Sequence, residues 1–157
     1  MKKFIIALTF LTVGLYTTQA QEMSDNTIGL RFSENGGIGA EFTYQRKLTD
    51  SNRLEVDLGL RSTRLFSVFK ATGLYQWVWT LEGDFNWYAG AGGGLGSWKI
   101  KDTDFSDTFI FGAGVVGVEY NFDFPLQVSL DFRPEIGFSK LYDGLNADFG
   151  LSARYRF

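Results

Sequence analysis

The side chains able to do chemistry in this sequence are carboxylates and guanidiniums, because the commoner reactive groups are missing. There is no histidine and no cysteine, which removes the usual general base, the thiol nucleophile and the commonest metal ligands. A serine activated by histidine is excluded on the same ground. What remains is a dense set of charges alternating with apolar residues: Glu119, Asp131, Arg133, Glu135, Asp148, Arg154 and Arg156. Residues 112–117 read Gly-Ala-Gly-Val-Val-Gly and match a dinucleotide-binding fingerprint letter for letter. That fingerprint works only where a strand opens into a helix, and residues 118–122 continue with a period of two. Gly90, Gly92, Gly93, Gly94 and Gly96 lack the Gly-Lys-Ser/Thr of a phosphate cradle, so packing explains them better. Asp102, Asp104 and Asp107 are spaced a little like a calcium loop. The glycine and the bidentate glutamate are absent, with Ala113 at the twelfth position, so a solvated loop is expected. No catalytic role, cofactor or resident metal is predicted.

These charges sit on elements with a strict period of two. In residues 145–157 the odd positions are Leu145, Ala147, Phe149, Leu151, Ala153, Tyr155 and Phe157, and the even ones are Asn146, Asp148, Gly150, Ser152, Arg154 and Arg156. Side chains alternate between faces along a strand, so this is a ribbon with one greasy side and one charged side. The same pattern predicts strands over 26–33, 38–48, 53–61, 66–79, 86–98, 108–122 and 126–135. Turn residues separate them, among them Asn35-Gly36 and Glu82-Gly83-Asp84. On the fourth strand Phe69, Ala71, Gly73, Tyr75 and Trp77 are assigned outward, against Lys70, Thr72 and Gln76. The facing of the glycine-rich fifth strand is left open. Longer connections are expected at 99–107 and 137–144. The total is eight, and a closed sheet would remove every edge.

Met1-Lys2-Lys3, an apolar run over 4–15 and small residues at Thr18 and Ala20 read as a secretory signal peptide over 1–20. The rest, 21–157, is expected to be one domain. Without Lys2 and Lys3, 13 basic side chains face 18 acidic ones, a net of −5, so nucleic acid is not an expected partner. Alternation alone does not say which face meets the core. A soluble, lipocalin-like ligand-binding barrel would turn the apolar face inward; a membrane barrel reverses it. Aromatic pairs near strand ends favour the membrane: Trp77 and Trp79, Trp87 and Tyr88, Tyr120 and Phe122, Tyr155 and Phe157. The face beside them carries glycine and charge, which suits the filled interior of a narrow barrel. Arg31, Glu41, Lys47, Glu55, Asp57 and Arg61 are assigned to that interior with the seven charges above. Arg133, Arg154 and Arg156 are expected to neutralise Glu119, Asp131, Glu135 and Asp148 as a plug.

The stretches 87–92 (Trp-Tyr-Ala-Gly-Ala-Gly), 117–122 (Gly-Val-Glu-Tyr-Asn-Phe) and 153–157 (Ala-Arg-Tyr-Arg-Phe) resemble the small eight-stranded outer-membrane β-barrels of Gram-negative bacteria, the OmpA/OmpX-type porin-like group. The resemblance covers about residues 26–157 and implies an all-β, up-and-down transmembrane barrel. It implies both termini in the periplasm, with the connections at 34–37, 62–65, 99–107 and 137–144 outside. It implies a non-enzymatic envelope role, in structure, surface interaction or slow passage of small solutes. The implied partners are outer-membrane lipid and lipopolysaccharide, and the barrel-assembly machinery during biogenesis. Tyr155 and Phe157 inherit the part of the assembly signal. No periplasmic wall-binding domain is expected.

Overall fold

The structure, a computed structural model, describes residues 23–33, 39–62, 64–101, 106–139 and 142–157. The expected signal peptide lies outside the described residues. Eight strands follow in order: β1 (Asn26–Ser33), β2 (Ala40–Lys47), β3 (Asn52–Ser62), β4 (Phe66–Glu82), β5 (Phe85–Ile100), β6 (Ser106–Asn121), β7 (Leu126–Ser139) and β8 (Tyr142–Arg156). Each pairs antiparallel with the next, and β8 returns to β1 to close a barrel. At that seam Thr27 stands opposite Arg156 and Ser33 opposite Gly150. Asn26 and Phe157 exchange both backbone hydrogen bonds at 3.0 Å, so the first and last strand ends are stitched together.

The faces are the inverse of a soluble protein's. Arg31, Glu41, Arg53, Glu55, Asp57, Lys70, Arg133 and Arg154 are buried, while Leu60 is 76% exposed, Leu145 75% and Phe138 66%. The exposed apolar side chains come from all eight strands. So broad an apolar surface is untenable in water and suits hydrocarbon. The lipocalin-like alternative is thereby overturned, since its interior would have to be the apolar face. Among the described residues no helix is long and apolar enough to cross a membrane; the crossing is made by strands.

Near the termini an aromatic belt runs round β4 to β8. Trp79 stacks on Trp87 with ring centres 4.3 Å apart, Phe85 meets Tyr120 at 4.6 Å, and Tyr120 and Phe122 meet edge to face at 4.7 Å. Tyr155 and Phe157 continue it, 6.2 Å apart. Amphipathic rings gather at this height in membrane barrels. Tyr88 is the exception. The sequence groups it with Trp87 as an interfacial pair, yet its side chain is buried inside the barrel at 1% exposure. Adjacent strand residues must face opposite ways, so only one of that pair can join the belt.

Strands extend into two of the expected connections. Gly137 pairs with Gly144, Phe138 with Asp143 and Ser139 with Tyr142, so β7 and β8 run through the predicted 137–144 loop. Trp98 pairs with Asp107 and Lys99 with Ser106, which shortens the predicted 99–107 linker. Polar residues in barrel strands that rise past the membrane look like loop in a sequence. At the other end Glu82 pairs with Phe85 across Gly83 and Asp84, and Gly83 takes φ 54°, a conformation glycine adopts without steric cost.

Other glycines make room inside. A Cβ on Gly94 would meet the Phe111 ring, one on Gly96 the Phe109 ring and one on Gly150 the Arg31 guanidinium. The fifth strand therefore faces inward through Asn86, Tyr88 and Gly96, all buried. A Cβ on Gly117 would lie 2.6 Å from the Tyr88 ring and 2.7 Å from the Leu130 carbonyl. Gly117→Ala should lower stability by about 1–3 kcal/mol through overpacking. Gly73→Ala, with nothing within 4 Å of its Cβ, should be close to neutral. Urea unfolding in detergent checks both.

Candidate functional site

Among the described residues, reactive side chains converge in the charged lumen. There, five buried cations meet seven buried carboxylates: Arg31, Arg53, Lys70, Arg133 and Arg154 against Glu41, Glu55, Asp57, Glu119, Asp131, Glu135 and Asp148. Single arginines serve several of these carboxylates.

Arg31 on β1 does so at mid-height. Its guanidinium lies 2.6 Å from Asp131 on β7, 2.8 Å from Asp148 on β8 and 3.2 Å from Glu41 on β2. Arg133 on β7 reaches across the whole lumen to β3, meeting Asp57 at 2.5 Å and Glu55 at 3.2 Å, and also takes Glu41 at 3.1 Å. β7 and β3 are four strands apart in a ring of eight, so this tie spans a diameter. Glu41 Oε2 accepts from both arginines and joins the two clusters.

Towards the termini, Arg154 donates to Ser129 at 2.7 Å and Thr43 at 3.2 Å and pairs with Glu55 at 3.1 Å. Gln45 donates to the same carboxylate at 2.5 Å. Arg53 and Glu119 form an ion pair at 2.7 Å, and Arg53 also donates to Gln76 at 2.6 Å. The Arg53 guanidinium lies 4.7 Å from the centre of the Tyr88 ring, a cation–π contact in a desolvated space. Towards the other end, Lys70 pairs with Glu135 at 2.7 Å and Tyr142 donates to that carboxylate at 2.5 Å. Above them the lumen turns apolar, with Val68, Phe109 and Phe111 buried and Tyr142 stacked on Phe109 at 5.0 Å.

Of the residues singled out in the sequence, Glu119, Asp131, Arg133, Glu135, Asp148 and Arg154 all lie in this lumen. Their partners differ from those expected. Glu119 pairs with Arg53, Asp131 and Asp148 with Arg31, and Glu135 with Lys70. Arg156 does not join them. It is half-exposed at the barrel rim and donates to the carbonyls of Phe122 and Phe124, clamping the β6–β7 turn. The strand simply carries its last inward position past the end of the lumen. Lys47 likewise sits at the rim, 3.1 Å from the exposed Asp50. The Arg61 side chain lies outside the described residues. Tyr155 and Phe157 face outward, 55% and 59% exposed.

Arg53, Lys70 and Tyr88 were missing from the expected charge network. Arg53 precedes Glu55 by two, and Tyr88 follows Asn86 by two, so extending the alternation one step would have found both. Asp107 accepts a hydrogen bond from the Thr108 amide, and Asp102 and Asp104 lie outside the described residues. Among the described residues no group of three carboxylates could hold a metal ion. β6 runs unbroken from Ser106 to Asn121, so the glycine fingerprint at 112–117 opens no helix.

No protein-family model matches the sequence, and no curated protein matches it. Solved structures do. The N-terminal β-barrel domain of Pseudomonas aeruginosa OprF superposes with a TM-score of 0.65 at 15% identity, covering 85% of this chain and 98% of that one. Neisserial surface protein A gives 0.61 at 12% identity, covering 84% and 94%. Ail, the attachment invasion locus protein of Yersinia pestis, gives 0.54 at 16% identity, covering 85% and 97%. At such identities the likeness concerns the fold, which is that of the small eight-stranded outer-membrane barrels.

Removing a partner from a buried pair typically costs roughly 3–5 kcal/mol, against about 0–1 kcal/mol for an exposed pair. Arg154→Ala should fall near the lower end of the buried range, because Glu55 keeps Arg133 and Gln45. Adding Glu55→Gln should recover part of the loss, whereas adding Asp131→Asn should only add its own cost, since Asp131 belongs to Arg31. Unfolding in detergent of these variants and of the Glu55→Gln and Asp131→Asn single variants, read as two double-mutant cycles, checks the pairing.

Proposed function

We propose that this protein is a non-enzymatic outer-membrane barrel whose lumen is sealed by ion pairs, and that it acts through its outer surface and strand ends rather than as a passage. The observation that carries this is the diametric tie from Arg133 to Asp57, flanked by the Arg31, Arg154, Arg53 and Lys70 pairs. Eight strands enclose a bore that side chains fill, and a solute would have to break several buried pairs to pass. The absence of histidine and cysteine together with the closed lumen supports a role without catalysis. The inverted faces and closed sheet suit a membrane assembled from strands, which for an exported chain is the outer membrane.

Both termini and the short turn at Gly83–Asp84 share one end, which we assign to the periplasm, because periplasmic turns are the short ones. The ends near Lys101 and Asp143 then project outward. Ail, a barrel of this fold, is named the attachment invasion locus protein and has been solved in complex with the heparin analogue sucrose octasulfate. That precedent supports a surface-interaction role. Tyr155 and Phe157, outward at the closing seam, are assigned as the signal for barrel assembly.

A cysteine at Asp143 should be labelled by an impermeant maleimide in intact cells, and one at Asp50 only after the outer membrane is opened. The reverse pattern would invert the orientation, and labelling of neither, with the protein recovered soluble, would remove it from the membrane. Deleting Phe157 should cut Asp143 labelling several-fold while export continues; undiminished labelling would refute the assembly role.

A further inference from the structure

At the end away from the termini, the outer face of the barrel carries a polar patch whose position in the sheet bears on what it can bind. Across four strands at the end away from the termini, Ser62 pairs with Ser67, Ser67 with Lys99 and Lys99 with Ser106. Successive partners in an antiparallel sheet share a face. Ser62 shares its face with exposed Leu60 and Leu58, so the whole row looks outward. Lys101, two residues beyond Lys99 and therefore on the same face, donates to the Ser62 hydroxyl at 2.9 Å, and that hydroxyl lies 3.2 Å from the Ser67 hydroxyl. Arg64, in the β3–β4 connection two residues after Ser62, is exposed.

The next row towards the membrane is Leu60, Phe69, Ser97 and Thr108, and the one after is Leu58, Ala71, Leu95 and Ile110. Leu58, Leu95 and Ile110 are 42%, 50% and 57% exposed. Within two rows the outward face passes from hydrocarbon-facing side chains to hydroxyls and cations. On the β7–β8 side Ile136, Phe138 and Leu145 stay apolar and exposed almost to the strand ends. Among the described residues, the outward cations at this end lie in the β3–β6 sector. Asp107 does not neutralise its face, since it shares the inward register of β6 with Phe109 and Phe111.

We infer that the Ser62–Ser67–Lys99–Ser106 row, with Lys101 and Arg64, binds the phosphate of a phosphorylated lipid headgroup in the outer leaflet. Three cations and adjacent hydroxyl donors suit a phosphate oxygen set. Because the row looks sideways from directly above the apolar belt, its neighbour is the headgroup layer, where basic clusters hold anionic lipids. This inference rests on the membrane placement proposed above.

The test refolds the protein into phosphatidylcholine nanodiscs containing a minor fraction of a bis-phosphorylated glucosamine-disaccharide lipid or its dephosphorylated counterpart. Bound lipid is then counted by native mass spectrometry. The parent protein should retain the phosphorylated lipid in preference. The Arg64→Gln, Lys99→Gln, Lys101→Gln triple variant should lose about tenfold in that preference, given three basic side chains at the surface. Arg46→Gln, which removes an exposed cation near the opposite end of β2, should keep it, and Lys99→Arg with Lys101→Arg should keep it too. Heat-modifiable migration confirms that each variant is folded. Equal retention of the two lipids, an unchanged triple variant, or full displacement by millimolar inorganic phosphate would each overturn the inference while leaving the membrane barrel intact. Failure of the parent to enter the nanodiscs would overturn both.

Discussion

A bore too narrow for bulk water, lined with charge, obliges every inward arginine, lysine and carboxylate to find its partner across the lumen. Desolvating an ion costs several kcal/mol, and a domain's whole stability is only about 5–15 kcal/mol. Among the described residues five cations meet seven carboxylates and satisfy that demand by sharing: Glu41 lies between Arg31 and Arg133, and Glu55 between Arg133 and Arg154. The same pairs secure register. A one-residue slip in any strand would turn its charges into lipid, where an arginine or lysine at mid-membrane costs about 2–4 kcal/mol.

Filling follows from the same narrowness. Where a guanidinium or ring crosses the lumen, the strand it approaches carries glycine: Gly150 beneath Arg31, Gly117 beneath Tyr88, Gly94 and Gly96 beneath Phe111 and Phe109. The interior is charged through its middle and aromatic near the outer mouth, and both regions are packed. A barrel built this way has its lumen committed to holding itself together. The surfaces left for recognition are the strand ends and the outward face, where the hydroxyl and lysine row borders the apolar belt.

The period of two in the sequence revealed the strands and, for most positions, the face. Strand β1 and the start of β4 fall at the residues expected, and Lys70, Thr72 and Gln76 face inward as read. Partner identity was not legible. Alternation says that Asp131 and Arg154 share a face but not how high each stands, and height depends on the stagger between strands, which only the closed sheet determines. Arg156 was misjudged for that reason: its face was right and its height lay past the lumen. Tyr88 was misread because two adjacent aromatics were treated as one girdle pair. Residues 137–144 looked like loop because glycine and polar side chains are common both in turns and in strands that stand clear of the membrane.

The claim that the lumen is sealed by paired charges is tested most directly by ion conductance. Refolded protein in a planar bilayer should be silent at moderate voltage, with current appearing when Arg133 is replaced by a short uncharged side chain that releases Asp57, Glu55 and Glu41. A steady open channel from the parent protein, unchanged by that replacement, would contradict the account.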